Sequence, residues 1–181
     1  MLKAMMNQKN MKQLTNILIM SFCLLITSLC QAQKKSNRLI NDFMKVEGNW
    51  TGQLTYLDYS SGKPYTMSAD IEIKRIPETH TFLFVHTYPK EKSANKTDTV
   101  TISKDGQYIG KEKLVSRIKL PNGDMKITTE RKGKDGNEGK EATIRQTYTL
   151  GKTLFSTRKD ILFSGEKRWI KRHEYVYRKQ Y

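Results

Sequence analysis

Between Tyr65 and Lys74 apolar and polar side chains alternate without a break: Tyr65, Met67, Ala69, Ile71 and Ile73 against Thr66, Ser68, Asp70, Glu72 and Lys74. A period of two puts one set on a covered face and the other in water, which a helix of 3.6 residues per turn cannot do. The same period governs most of the chain after Val46. Trp50, Gly52, Leu54 and Tyr56 share a face opposite Thr51, Gln53 and Thr55. Val100 with Ile102, Leu114 with Ile118 and Leu120, Met125 with Ile127, and Ala142, Ile144, Tyr148 and Leu150 extend the pattern. Runs at 154–155, 161–163 and 169–177 complete it. Phe82, Leu83, Phe84 and Val85 are apolar on both faces and mark a crowded seam.

Tight turns separate these runs. Ser60-Ser61-Gly62-Lys63, Asp105-Gly106, Pro121-Asn122-Gly123-Asp124 and Leu150-Gly151-Lys152 all supply residues that tolerate positive φ. Short strands, tight turns and no helical crossover predict an all-β fold, an antiparallel up-and-down barrel of about eight to ten strands. Leu39, Ile40, Phe43 and Met44 recur at helical spacing and predict a short N-terminal helix before it. Trp50, flanked by Gly48 and Gly52, is placed to plug the barrel floor, with glycines that let the backbone bend around the ring. The polar stretch Arg131 to Glu141 reads as a long, mobile hairpin tip.

The first 32 residues have the grammar of an export signal. Lys12 precedes an apolar run from Leu14 to Leu29, and Cys30-Gln31-Ala32 ends it with small residues at the −3 and −1 positions. Met11 is a plausible alternative start. A membrane-spanning reading is weaker, because Asn16, Ser21, Thr27 and Ser28 interrupt a run shorter than the ~20 residues a span requires. A lipid anchor on Cys30 is disfavoured by Leu29, where a small residue is expected. Cleavage after Ala32 leaves residues 33–181 as one barrel domain of 149 residues, exported to the periplasm or the medium. Both cysteines, Cys23 and Cys30, fall in the signal, so the remaining chain has neither thiol nor disulfide.

Loss of Lys3, Lys9 and Lys12 lowers the formal charge from +15 to +12. Such an excess favours anionic partners, an envelope surface among them. Nucleic acid is excluded as a partner by the export signal and by the even spread of basic residues, with no recognition helix or aromatic–basic sheet signature. Oligomeric state is not encoded in any recognisable pattern.

Most motifs for chemistry fail on inspection. Gly151-Lys152-Thr153 has the tail of a phosphate loop, but Gln146 stands where its first glycine belongs. Asp135 and Asn137 resemble the start of a calcium loop that lacks its downstream glutamate. His80, His86 and His173 share no metal-ligand spacing. No nucleophile elbow or Ser–His–Asp arrangement is present, so nothing points to catalysis and no catalytic residue or metal ligand is assigned. His86 shares its face with Phe82, Phe84 and Tyr88, and His173 shares one with Trp169, Lys171, Tyr175 and Tyr177.

The Gly48-Asn49-Trp50 opening, preceded by a helical turn and followed by successive antiparallel strands, resembles lipocalin-like (calycin) barrels of the small secreted bacterial type. That resemblance implies a basic residue of the last strand lying over Trp50, with Arg168, Arg172 and Arg178 as candidates and Arg172 the middle choice. In the fatty-acid-binding branch an Arg-x-Tyr pair grips the ligand carboxylate. Here the matching spacing is His173-Glu174-Tyr175, with histidine in place of arginine. Gly48-x-Trp50-x-Gly52 also looks like the opening of the haem-carrying nitrobindin barrels, which implies haem as a possible cofactor and His173 as its ligand.

The expected function is non-covalent binding of a small, largely apolar molecule in the lumen. The candidate contacts are Tyr56, Tyr65, Met67, Phe84, His86, Trp169, His173 and Tyr175, with Gly48, Trp50, Gly52 and Arg172 in structural roles. The competing expectation is a filled barrel that uses its basic exterior to dock on an anionic envelope surface or a partner protein. An outer-membrane barrel fits the length but not the polar residues found on both faces of most strands.

Overall fold

The computed structural model describes residues 20, 33, 35–58 and 61–180. The export signal read over residues 1–32 lies outside the described residues, Met20 apart, as does Tyr181. No helix among the described residues is long and apolar enough to cross a membrane.

Residues 35–44 form helix α1. The strands follow as β1 (Gly48–Leu57), β2 (Pro64–Ser68), β3 (Asp70–Arg75), β4 (Thr81–Thr87), β5 (Lys96–Thr101), β6 (Tyr108–Ile109), β7 (Glu112–Lys119), β8 (Met125–Asp135), β9 (Lys140–Leu150), β10 (Leu154–Phe163) and β11 (Ile170–Lys179). They make one antiparallel sheet in the order β5-β4-β3-β1-β11-β10-β9-β8-β7-β6, with β2 beside the second half of β1. Gln53 faces Ser68 and Trp50 faces Ile71 in one unbroken register, so β2 and β3 are halves of a single strand bent at Ala69. A bridge between Ile102 and Ile109 joins the end of β5 to β6 and curls the sheet back on itself. The result is the expected all-β barrel, nearly closed, with an unzipped stretch between β5 and β7.

Register sorts the inward side chains into levels. The lowest runs Met125, Leu150, Phe155, Tyr177 and Gly52; the next runs Ile127, Tyr148, Thr157, Tyr175, Leu54 and Met67; the third runs Thr129, Gln146, Lys159, His173, Tyr56 and Tyr65. Above the third level Ile144, Ile161 and Ile170 add a further apolar rung on β9, β10 and β11.

Helix α1 seals the floor. Leu39 and Phe43 are fully buried, and the Phe43 ring lies 5.6 Å from Phe82 and 5.3 Å edge-on from Tyr148. Its far side is held by Asp42, which accepts from Arg117 Nε at 2.6 Å and from Lys45 at 3.1 Å. Trp50 is 1% exposed and donates from Nε1 to the Val46 carbonyl at 2.8 Å. It is the floor plug its sequence context predicts.

Two expectations change. The cation over Trp50 is Lys179, whose Nζ sits 4.5 Å from the ring centroid and also donates to the Glu47 carbonyl. Arg172 cannot serve there, because it lies seven residues back along β11, at the opposite end of the barrel. The hairpin tip is also shorter than its polarity indicates. β8 and β9 stay paired as far as Asp135–Lys140, leaving only 136–139 as the turn, with Gly136 and Gly139 at positive φ. Ladder hydrogen bonds and the Arg145–Glu130 pair at 2.7 Å sustain a ribbon that no apolar pattern announces.

Candidate ligand site

Above the aromatic floor a cavity of about 240 Å³ opens between the second and third levels and the β4–β5 wall, lined by Phe84, His86, Lys96, Asp98, Val100, Gln146, Tyr148, Thr157, His173 and Tyr175. Alternation supplies its walls. Phe84 and His86 come from β4, Lys96, Asp98 and Val100 from β5, Gln146 and Tyr148 from β9, Thr157 from β10, and His173 and Tyr175 from β11.

Tyr175 stands between the two histidines, with its ring 5.4 Å from His86 and 5.6 Å from His173. Its hydroxyl shares a buried 2.8 Å hydrogen bond with the Tyr88 hydroxyl. Burial pushes the Tyr175 hydroxyl pKa up, and the bond to Tyr88 adds to the shift. Tyr177 and Phe155 continue the stack downward with near-parallel rings 5.4 Å apart. His86 is committed on both nitrogens: Nδ1 lies 3.4 Å from the Tyr177 hydroxyl and Nε2 lies 3.4 Å from Asp98 Oδ2. A neutral ring with the proton on Nε2 satisfies both neighbours, since tyrosine then donates and the carboxylate accepts.

Burial lowers the pKa of His86 to about 4, with Lys96 reinforcing and Asp98 opposing. His173 is also lowered to about 4, by burial first and then by Lys159 and Lys96. Both rings are therefore neutral at pH 7. Unlike His86, the ring nitrogens of His173 have no hydrogen-bond partner among the described residues. The same holds for the side-chain polar groups of Gln146, Thr157 and Tyr148, and all four residues line the cavity. Thr157 and Tyr148 are each only 8% exposed. Their polar atoms open onto the cavity, since Glu47 Oε1 is the only fully buried side-chain polar atom without a partner among the described residues, and so they can meet a ligand there.

A bulge shapes the upper lip. Lys159 faces His173 while Asp160 faces Lys171, so Arg172 is the extra residue of β11. Arg172 and His173 consequently both turn inward. Arg172 Nε meets Asp135 Oδ1 at 2.9 Å, and Lys159 Nζ meets Asp135 Oδ2 at 2.5 Å. Burial raises the Asp135 pKa, but Lys159, the Gly136 N–H and Arg172 together override it and hold the carboxylate below its usual range.

Of the eight sequence-predicted contacts, Phe84, His86, His173 and Tyr175 converge on this cavity. Met67 is part of the packed core, and Tyr56 and Tyr65 pair at the mouth with rings 5.5 Å apart, Tyr65 being 49% exposed. Trp169 is outside the barrel, beneath Arg145, whose guanidinium carbon is 3.7 Å from the indole centroid. The bulge shifts the phase of β11, so the face predicted from His173 backward is the wrong one before residue 172. Sequence reasoning missed Lys96, Asp98, Val100, Gln146, Tyr148 and Thr157 as lining residues. Parity with Ile144 marks Gln146, and parity with Val100 marks Lys96 and Asp98.

The cavity falls below the ~300 Å³ lower end of clefts that bury drug-sized ligands. Among the described residues no group of three or more His, Cys, Asp and Glu is placed to hold a metal ion.

Fold and site together define a nearly closed antiparallel β-barrel with a small polar-lipped cavity, compatible with a calycin or lipocalin-like fold. No family model matches the chain, and no curated protein matches it. Among solved structures it is similar to the crystal structure of Rv2717c from M. tuberculosis, with 11% sequence identity, a TM-score of 0.44, and coverage of 76% of this chain and 94% of that one.

Proposed function

We propose that this is an exported, lipocalin-like binding protein that holds one small molecule in the upper lumen. The observation that carries the reading is the set of polar groups at His173, Gln146, Thr157 and Tyr148 that line a cavity without partners of their own above a floor packed solid with aromatics. Phe84, Val100, Tyr148 and Tyr175 supply apolar surface for the ligand body, while the other groups fix its orientation. At ~30 Å³ per water, the volume corresponds to about eight waters, which suits a single substituted ring and not a long acyl chain. Mass spectrometry of small molecules released from the natively purified protein tests this. A stoichiometric compound of that size is expected. Protein free of any such compound that also fails to bind a panel of single-ring probes overturns the reading.

A second reading, docking of the basic exterior on an anionic surface, is favoured by Lys126, Lys132 and Lys134, which are exposed on the outer face of β8. It predicts binding to vesicles containing anionic lipid that weakens steeply as salt rises, with no cavity ligand involved.

A further inference from the structure

We infer that the cavity ligand is an uncharged planar heterocycle with a hydrogen-bond donor and an acceptor side by side on its edge, as in a lactam ring. This rests on the lumen-binding reading and adds the ligand's chemical class.

The lining carries no unbalanced charge. Of its residues only Lys96 and Asp98 are ionised, and they pair with each other at 2.6 Å. His86 and His173 are neutral, and burial, with Glu112 adding to it, raises the Tyr148 hydroxyl pKa and keeps that group protonated. Lys159, which stands on β10 between Gln146 and His173, is not part of the lining, and its ammonium is held by Asp135 at 2.5 Å. An ion entering here would give up its hydration without meeting a counter-charge of its own.

The hydrogen-bonding groups of the lining are of one kind, because each can both give and accept. Gln146 has an amide N–H and a carbonyl, the neutral His173 ring has one nitrogen of each sort, and Thr157 and Tyr148 have hydroxyls. A carboxylate would only accept from these groups and an ammonium would only give. A ring with adjacent N–H and C=O does both. The primary amide of Gln146 can meet such an edge with two parallel bonds, as glutamine does on the paired donor and acceptor of adenine. Register keeps these groups together: Gln146 and His173 flank β10 on the third level, while Tyr148 and Thr157 face one another on the level below. The rings of Phe84, Tyr148 and Tyr175 supply the apolar surface that suits a flat ligand.

The test titrates the natively purified protein, dialysed free of small molecules, with four single-ring probes, followed by calorimetry or NMR. They are 2-pyridone, N-methyl-2-pyridone, which keeps the carbonyl and loses the N–H, benzoate and benzylammonium. 2-Pyridone is expected to bind at least about tenfold more tightly than each of the others. In Gln146→Met, which keeps the length of the side chain and removes the amide, the ratio between the two pyridones is expected to fall toward one. Thr157→Val, a change of almost no volume, should weaken 2-pyridone severalfold and guards against a folding defect in the first variant. Gln53→Met, on the exposed outer face of β1, should leave the ratio as it is. Equal affinity for the two pyridones, a charged probe bound as tightly as 2-pyridone, or a ratio unmoved by Gln146→Met overturns the heterocycle inference while lumen binding stands. So does a compound released from the native protein that is charged or lacks such an edge. Binding of no probe, with no small molecule released from the native protein, overturns both.

Discussion

Tyr177 lies flat across Gly52. A β-carbon at Gly52 would sit 2.6 Å from Tyr177 Cδ1 and 2.8 Å from its Cα, closer than packed atoms approach. The Val176 carbonyl oxygen would be nearer still, at 2.3 Å, so the glycine makes room for the β11 backbone as well as for the ring that stacks on Phe155. Gly52→Ala is expected to cost about 2–3 kcal/mol, as overpacking of a full core does. Urea unfolding followed by circular dichroism measures it, and a change below about 0.5 kcal/mol would show that β11, Tyr177 included, moves aside freely.

Lys179 over Trp50 gives a second expectation. Lys179→Met keeps the aliphatic stem and removes the ammonium, at a cost of about 1 kcal/mol from the lost cation–π contact and the lost bond to the Glu47 carbonyl. In a Trp169→Phe background Trp50 is the sole tryptophan, and its emission should shift when Lys179 is changed. Emission unaltered by Lys179→Met would contradict the contact.

Asp135 holds two cations, so the three members of that cluster are not equivalent. Asp135→Asn removes the carboxylate that Lys159 and Arg172 share and is expected to cost about 3–5 kcal/mol. Lys159→Met leaves a neutral pair and should cost far less. Denaturant midpoints for the two variants settle the ranking, and the reverse order would mean that the cluster is well hydrated.

The buried histidines make stability fall on acidification. Each has a folded pKa of about 4 against 6.5 for a free histidine. Above pH 6.5 neither state binds the proton. Between 6.5 and 4 only the unfolded state does, so stability is lost as pH falls through that window, by up to about 3 kcal/mol per histidine, and levels off below it. Urea midpoints at half-unit pH steps should show this slope, and His173→Gln should remove part of it. A midpoint constant from pH 7 to 4.5 would rule out buried neutral rings.

Much of this barrel is legible in the sequence, for a physical reason. Alternation at Met67, Ala69, Ile71 and Ile73 fixes which face is covered, and Gly-rich turns fix where strands reverse. Trp50 and Gly52 were readable as floor pieces because size and flexibility are local properties. Level within the lumen is not local. That His173 sits beside Lys159 and Gln146 depends on register between strands far apart in sequence. Trp169 was misplaced because its face depends on an extra residue at 172 that leaves no mark in composition. The Lys96–Asp98 wall was missed because charged residues on the inner side of a strand look like an outer face. The paired ribbon up to Asp135 was missed because it is held by backbone bonds with little apolar signal.

The bulge at Arg172 splits β11 into two phases. From residue 173 onward odd positions point inward, and from 172 back even ones do, so the strand is read in two frames joined at one residue. Loss of Arg172 would leave every other side chain of the strand on its present face, with Lys171 and Trp169 outward and Ile170 inward, and would cost Asp135 one cation. Smoothing the bulge with every residue kept would do the opposite, swinging Trp169 and Lys171 inward, so the extra residue lets a strand that alternates in two frames keep its indole beside Arg145.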